Sequence, residues 1–178
     1  LRRQRQMCIR DSYLTVAGVG QITIVDGDNV ELSNLNRQIG HWSSDIGRSK
    51  SVSLTEKLRK LNPNVRLEAV RRSVSRRNVR EIISDSTVVL DCLDDWKTRF
   101  VLNQACIEEG IPLVHAGVHS FFGQITTIIP EEGPCLRCIL PKTPPEEEKV
   151  PVLGTTAGIL GTLEALEAIK IIAKVGAP

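Results

Sequence analysis

Two apolar runs of strand length, each ending in an aspartate, limit the folds open to this chain more than any other feature. They are Gln21–Asp26 (QITIVD) and Thr87–Asp91 (TVVLD), and both are rich in β-branched residues. Between them, leucines recur at helical spacing within Ser49–Leu61, which is followed by an Asn-Pro pair that ends helices. Strands that alternate with helices predict a Rossmann-like α/β fold with a doubly wound, mostly parallel sheet.

The same patterns predict the remaining elements. Apolar runs and helical periodicity indicate three further strands and three further helices, and Gly133–Leu140 is predicted as a turn. A segment rich in proline and glutamate, Pro141–Pro151, is predicted as an exposed loop. The strands are predicted at Val65–Val70, Pro112–His115 and Phe122–Ile129, and the helices at Arg76–Ile83, Trp96–Glu109 and Gly158–Ala173.

Size, charge and cysteine content exclude several classes of protein. The chain has 178 residues, 41% of them hydrophobic, which suffices for one domain with a buried core. No apolar run approaches the roughly 20 residues of a membrane span, and no signal peptide is visible. A formal net charge of +2 is too small for a protein that binds nucleic acid through charge. Five cysteines, two of them in C-x-x-C, indicate a reducing cytoplasm rather than a disulfide framework.

Residues 1–12, LRRQRQMCIRDS, are predicted to be a non-native leader, because they show neither strand nor helix periodicity. Their four arginines account for the positive net charge of the chain. A basic arm that contacts phosphates is the alternative interpretation. The domain itself is predicted to span residues 13–178.

Acidic and basic side chains are placed where an open α/β sheet binds its ligands, beyond the carboxyl ends of the strands. Asp26 ends the first strand, where an acid typically accepts hydrogen bonds from a ribose, and Asp94 follows the TVVLD strand as an oxygen ligand of the kind that Mg²⁺ prefers. Arg37 and Lys50 lie between them and would neutralise phosphates. The alternatives are helix capping for Asp94 and Asp95, and a solvated surface for the two basic residues.

Six motifs occur in the order typical of one enzyme family. They are DGDNVELSNLNRQ, the lysine of DIGRSK, DCLDDWKTR, GQIT, C-x-x-C and GTLEALEAIK. With them the chain resembles the ThiF/MoeB/HesA family, relatives of ubiquitin-activating enzymes, from about Tyr13 to Val175. The resemblance implies an ATP-dependent adenylyltransferase for the C-terminal carboxylate of a ubiquitin-like sulfur carrier protein that ends in Gly-Gly. It also implies Mg²⁺, the release of pyrophosphate and a homodimer.

The resemblance assigns roles to single residues. It implies that Asp26 binds the ribose, that Arg37 and Lys50 are catalytic residues at the phosphates, and that Asp94 is catalytic as the Mg²⁺ ligand. It further implies a structural Zn²⁺ site, of which Cys135 and Cys138 would be one half. The nucleotide-binding set that it implies is Asp26, Asp28, Asn34, Arg37, Gln38, Lys50 and Asp94.

The chain departs from the family pattern in three places. The glycine-rich loop that cradles ATP phosphates would fall at residues 2–7, where the chain has RRQRQM, and no glycine precedes Gly18. The first strand and this loop are therefore predicted to be missing, and the chain by itself is expected to bind ATP poorly. The second C-x-x-C pair of the zinc site would lie beyond Pro178, and the loop before the last helix has no cysteine for a thioester or persulfide.

Three other functions stay open at this point. A family relative could adenylate another carboxylate or activate a modified tRNA base. A chain without the nucleotide loop could bind the carrier protein without catalysis. A nicotinamide-dependent oxidoreductase would need G-x-G-x-x-G before the Asp26 strand, and it would have no use for Arg37, Lys50 and Asp94 together.

The other residues of chemical interest have mainly structural interpretations. Cys92 and Cys106 are predicted to be small core residues. His115 and His119 are predicted to make structural hydrogen bonds rather than to line the site. The aromatic pair that begins at Phe121 is predicted to belong either to a dimer interface or to the core.

Overall fold

Helices and strands alternate along the chain in the computed structural model, which describes residues 7–145 and 152–178. Two short 3-10 helices, Leu32–Asn34 and Ser43–Asp45, lie in the long connection after the first strand. The elements in chain order are α1 (Met7–Val16), β1 (Gln21–Val25), α2 (Lys50–Leu61), β2 (Arg66–Val70), α3 (Val79–Ile83), β3 (Val89–Asp91), α4 (Trp96–Glu108), β4 (Leu113–His119), β5 (Phe122–Ile128), α5 (Leu136–Ile139) and α6 (Gly154–Ala173).

The strands form two sheets, and most of the pairing is parallel as predicted. β1 pairs with β2 in parallel, β3 pairs with β4 in parallel, and β5 returns antiparallel to β4. Among the described residues, no strand joins the β1–β2 sheet to the β3–β4–β5 sheet. In a doubly wound sheet the first strand lies between two such halves. Residues 1–6 are outside the described part of the chain, so the absence of the first strand and its loop stays a prediction.

Helices cover both faces of β4, because alternate side chains of a strand point to opposite sides. Ala116 and Val118 pack against α6 in one apolar cluster. Leu113 faces the other way and joins a larger cluster with Phe100 of α4 and Ile83 of α3. The result is the three-layer helix–sheet–helix arrangement that the sequence predicts.

The first helix begins inside the segment that the sequence assigns to a leader. Cys8 of α1 is buried and packs with Leu54 of α2, and Leu14 packs with Ala165 and Ala168 of α6. Residues 7–12 are therefore part of a packed helix. That residues 1–12 are not native stays a prediction.

Several elements differ in length from the sequence prediction. β4 extends to His119 because it pairs residue by residue with β5, a contact that alternation within one segment does not reveal. α6 begins at Gly154, four residues before the predicted start, where glycine and threonines obscure the helical pattern. The predicted turn at Gly133–Leu140 contains α5, and α3 begins at Val79 rather than at Arg76.

The predicted loop at Pro141–Pro151 falls largely on residues 146–151, which lie outside the described residues. Of the helices in the part of the chain that the structure describes, none has both the length and the apolar character that a membrane crossing requires.

Candidate active site

A cleft opens at the carboxyl ends of β1 and β3, where the sequence predicts the ligand site. Asp26 follows β1 directly, and Asp94 lies in the connection between β3 and α4. Residues that follow these two strands line the same cleft, so the fold brings residues distant in sequence to one place. The cleft is lined by Asp26, Gly27, Asp28, Ser73, Val74, Leu93, Asp94, Asp95 and Thr98.

Asp26 presents a buried carboxylate to this cleft. Its Oδ1 accepts a hydrogen bond from the backbone N–H of Asp28 at 2.7 Å, whereas its Oδ2 has no hydrogen-bond partner among the described residues. Burial raises the pKa of Asp26 to about 6, and the negative charges of Asp28 and Asp94 act in the same direction. A buried acceptor without a donor suits the hydroxyl groups of a ligand.

Lys50 is held beside the end of β1 by the start of α2. The Lys50 N–H donates to the carbonyl of Asp28 at 3.0 Å, and the Ser51 hydroxyl donates to the carbonyl of Asp26 at 3.3 Å. The Lys50 Nζ reaches Asp28 Oδ2 at 3.3 Å, and the lysine is almost fully buried. The alternative of a solvated surface is therefore wrong for Lys50.

The two aspartates before α4 have different roles. Asp95 is the N-cap of the helix, and its Oδ1 accepts a hydrogen bond from the N–H of Thr98 at 2.8 Å. The capping alternative is thus confirmed for Asp95 alone. Asp94 precedes the cap and lines the cleft close enough to Asp26 to repel its charge.

Three further residues of the predicted nucleotide-binding set form a separate buried group in the connection after β1. Asn34, Arg37 and Gln38 are all buried, and none of them lines the cleft. The Asn34 carbonyl accepts from the N–H of Gln38 at 2.9 Å, and Arg37 Nη1 donates to the Ser33 carbonyl and to Asn36 Oδ1. The solvated-surface alternative is therefore wrong for Arg37 as well.

Gly154, at the start of α6, fixes where this loop lies. A Cβ at Gly154 would fall 2.5 Å from the Asn36 carbonyl oxygen and 3.4 Å from Arg37 Cα. The absence of a side chain lets the helix approach the backbone of the loop. The structure thus brings Asp26, Asp28 and Asp94 to one cleft with Lys50 beside it, and leaves Arg37 beside α6.

A second buried polar cluster lies at the carboxyl end of β3, and the sequence motifs do not reveal most of it. Asp91 Oδ2 lies 2.6 Å from His115 Nδ1 and 3.5 Å from Arg99 Nε. The structural hydrogen bond predicted for His115 is confirmed. The string DCLDDWKTR contains both Asp91 and Arg99, but only the fold shows that the arginine turns back onto the start of its own motif.

Cys135 is the N-cap of α5 and Cys138 lies within that helix, and their Sγ atoms are 3.7 Å apart. Partial burial acts to raise the pKa of Cys135, and hydrogen bonds from the backbone of Cys138 and Arg137 outweigh it and lower that pKa. The two thiols could supply two of the four ligands of a tetrahedral metal site. Within residues 7–145 and 152–178, no three His, Cys, Asp or Glu side chains converge as metal ligands.

The remaining cysteines and aromatic residues are placed clearly. Cys92 and Cys106 are buried, so their predicted role in the core is confirmed. Phe121 and Phe122 are 78% and 77% exposed at the turn between β4 and β5, so the core interpretation is wrong for this pair.

Known proteins resemble this chain in sequence and in fold. The pattern of the ThiF family matches residues 8–178. The chain is 43% identical over 165 residues to the SAMP-activating enzyme E1 of Haloferax volcanii, with 90% of this chain and 61% of that protein covered. It is 38% identical over 171 residues to the sulfur carrier protein ThiS adenylyltransferase of Escherichia coli, with 93% of this chain and 68% of that protein covered.

Solved structures share the fold at lower identity. The structure of Escherichia coli MccB with ATP superposes with a TM-score of 0.82 and 19% identity, covering 96% of this chain and 54% of MccB. The chain therefore spans between about half and two thirds of the length of these relatives.

Proposed function

Because the chain belongs to the ThiF family, we propose that it forms the nucleotide-binding part of an enzyme that adenylates the C-terminal carboxylate of a ubiquitin-like sulfur carrier protein. The observation that carries this proposal is the cleft shared by Asp26 and Asp94, with Lys50 beside it. Two relatives that are more than a third identical to the chain are named as an adenylyltransferase for a sulfur carrier and as a SAMP-activating enzyme.

The reaction needs positive charge and correct orientation more than it needs proton transfer. A carboxylate oxygen of the carrier bonds to the α-phosphorus of ATP, and the bond from that phosphorus to the bridging oxygen of pyrophosphate breaks. Both reactants are anions, so the cation at Lys50 would reduce their repulsion and stabilise the charge that develops on pyrophosphate. Arg37, which lies outside the cleft beside α6, would add positive charge only if the bound phosphates extend toward it. Asp26 would accept hydrogen bonds from the ribose hydroxyls through its unpartnered Oδ2.

The donor set at the cleft suits Mg²⁺ held together with phosphates. Mg²⁺ prefers carboxylate oxygens and usually takes only one or two from the protein, with phosphates and water completing its shell. Asp94 would be the ligand from the protein, since Asp95 is engaged as a helix cap. When bound, the ion would neutralise charge on the phosphate oxygens and help to fix their position.

The thiols of Cys135 and Cys138 would hold one half of a structural Zn²⁺ site. Their separation and the lowered pKa of Cys135 support this, because zinc binds the thiolate form. Two further ligands would have to come from outside the described residues.

The partner and the assembly are part of the proposal. The Gly-Gly tail of a carrier is a narrow, flexible peptide, and its carboxylate is the group that the reaction requires. The exposed Phe121 and Phe122 form an apolar tip of the kind found at protein interfaces, and they would contribute to a homodimer. All five cysteines are free thiols, which fits a reducing cytoplasm.

One feature favours a second candidate, a protein that binds the carrier without catalysis. The residues at which the resemblance places the phosphate-cradling loop, RRQRQM at 2–7, contain no glycine. The two functions differ in one measurement, which is ATP–pyrophosphate exchange that depends on added carrier protein.

That exchange assay also tests the site. We expect the Asp94→Ala variant of the full-length protein to lose at least about 100-fold in exchange rate, since a magnesium ligand contributes several kcal/mol to the transition state. Asp85→Asn is the control, because Asp85 is an exposed aspartate away from the cleft. Absence of exchange in the unmodified protein would favour the non-catalytic candidate, and normal exchange in Asp94→Ala would refute the role of Asp94.

A further inference from the structure

Leu93, the residue immediately before Asp94, is held by side chains at both of its backbone polar groups. Its N–H donates to Asp91 Oδ1 at 2.9 Å, and its carbonyl oxygen accepts a hydrogen bond from Arg99 Nε at 3.0 Å and another from Arg99 Nη2. Leu93 itself lines the cleft. We propose that Asp91 and Arg99 are positioning residues that fix the carboxylate of Asp94 by clamping the Leu93 peptide groups, a role that rests on the proposed function of the cleft.

The clamp is anchored in the fold on every side. Asp91 is the last residue of β3, and its second oxygen lies 2.6 Å from Nδ1 of His115 on the neighbouring strand. Arg99 donates from Nη2 to the carbonyl of Ala116 at 3.4 Å, and its guanidinium lies 4.9 Å from the ring centre of Trp96. Both charged side chains are at least nine-tenths buried. The Asp91 and Arg99 side chains are therefore held in one conformation and do not move freely as exposed side chains do.

The segment that carries Asp94 needs such support. Residues 92–94 connect β3 to Asp95, the N-cap of α4, and belong to neither element, so they lack the regular hydrogen bonds of a strand or helix interior. A ligand that positions a metal must be held to within roughly 0.5 Å, and loops achieve this only through surrounding hydrogen bonds. At Leu93 these bonds come from one acid and one arginine that also pair with each other.

The chemistry of arginine explains why this residue type is suited to the position. Two of its N–H groups reach the same carbonyl oxygen while a third direction remains for Ala116. A lysine could keep the positive charge beside Asp91 but could not make the paired contact with Leu93. The Arg99→Lys variant therefore tests the hydrogen bonds to Leu93 while the positive charge beside Asp91 is kept.

The test compares this variant with two others in the full-length protein. Asp91→Asn keeps an acceptor for the Leu93 N–H but removes the negative charge, and we expect an intermediate effect. Leu102→Ala is the matched control, since Leu102 is buried on the same helix and touches neither Leu93 nor Asp91 through a hydrogen bond. It should lower the melting temperature without changing the clamp.

Two measurements give the answer. The first is amide hydrogen exchange of residues 93–95 without ligand, which should become at least about tenfold faster in Arg99→Lys and stay unchanged in Leu102→Ala. The second is the Mg²⁺ concentration that gives half-maximal ATP binding by calorimetry, which should rise by about tenfold in Arg99→Lys.

Unchanged amide hydrogen exchange in Arg99→Lys would overturn the positioning role. Faster amide hydrogen exchange with an unchanged Mg²⁺ requirement for ATP binding would overturn it as well. If the unmodified protein bound no ATP in the presence of Mg²⁺, the proposed function would fail instead. Amide hydrogen exchange of residues 93–95 alone would then decide whether the clamp exists.

Discussion

Lys50 Nζ lies 3.3 Å from Asp28 Oδ2, and the lysine side chain is 2% exposed whereas the aspartate is 32% exposed. The pair is therefore asymmetric, with a buried cation held by a carboxylate that water can still reach. Such an arrangement leaves the cation available to a second anion that enters the cleft, because water can hydrate the Asp28 carboxylate once Lys50 pairs with that anion.

Substitution of Lys50 should accordingly affect the reaction more than the fold. Lys50→Met keeps most of the buried stem and removes the charge, so we expect the free energy of unfolding to change by less than about 1 kcal/mol. The rate of carrier-dependent exchange should fall at least about 100-fold. Thermal melting and the exchange assay on one preparation check both expectations, and a large loss of stability with a normal rate per folded molecule would make Lys50 structural.

Gly154 provides a test of the position of Arg37. Gly154→Ala should improve helix propensity, yet its methyl group would fall 2.5 Å from the Asn36 carbonyl and displace the loop. We expect the rate of carrier-dependent ATP–pyrophosphate exchange to fall by between about 10- and 100-fold, because a displacement of about 1 Å in a binding group is costly. Gly133→Ala is the control, as a Cβ there would meet no atom within 4 Å. Equal rates in both variants would show that Arg37 tolerates the shift.

The charged carboxylate of Asp26 should lower the free energy of unfolding and strengthen the binding of ATP. Its pKa of about 6 lies above the usual 3.8, so the contribution of Asp26 to the free energy of unfolding falls as pH rises from about 3.8 to 6 and is constant above that pH. Asp26→Asn keeps the acceptor at Oδ1 and removes the charge, and at pH 7.5 it should stabilise the protein by about 1–3 kcal/mol. The same variant should bind ATP more weakly. Urea unfolding at pH 7.5 that shows a less stable variant would contradict the assignment of burial as the cause.

Glu164 of α6 predicts a second pH dependence. It is fully buried, and neither of its carboxylate oxygens has a hydrogen-bond partner among the described residues. Burial raises its pKa to about 8 against the opposing charge of Arg10. The charged groups that act on it are Arg10 and Asp11 of α1, Asp91 of β3 and Arg99 of α4.

The folded protein therefore keeps a proton on Glu164 that the unfolded chain releases, and the free energy of unfolding falls as pH rises from about 4.5 to about 8. Glu164→Gln removes this dependence, so its stability advantage should grow from near zero at pH 4.5 to roughly 3–5 kcal/mol at pH 8. Unfolding curves at several pH values measure the difference. A constant difference across that range would show that Glu164 does not hold the proton.

Patterns along the sequence predict the elements well where one segment contains the whole signal. β1 and α2 are confirmed to within one residue, since β-branched residues and leucine spacing are local properties. Residues 7–12 of α1 are predicted as part of a leader because residues 1–12 show neither strand nor helix periodicity, and Arg10 and Asp11 lie within that stretch. The fold buries this pair as an ion pair with 2.7 Å between Arg10 Nη2 and Asp11 Oδ1, which periodicity counts as surface.

The candidate site divides in the same way. The motifs identify Asp26, Lys50 and Asp94, and the structure places them around one cleft or beside it. No pattern along the chain predicts that Arg99 returns to the peptide groups of Leu93, because that contact depends on the angle at which α4 leaves β3. The burial of Lys50 was also not foreseen, since a lysine in a polar segment normally faces water.

The antiparallel hairpin of β4 and β5 has a consequence for the order in which the molecule assembles. Its strands are adjacent in sequence and pair from Leu113↔Ile128 to His119↔Phe122, whereas Gln21 must meet Arg66 across a long intervening chain. Local pairs close at a small entropic cost and form first, and distant parallel pairs form late. The hairpin, with His115 in place, should therefore be an early template, and the cleft between β1 and β3 should be among the last regions to mature.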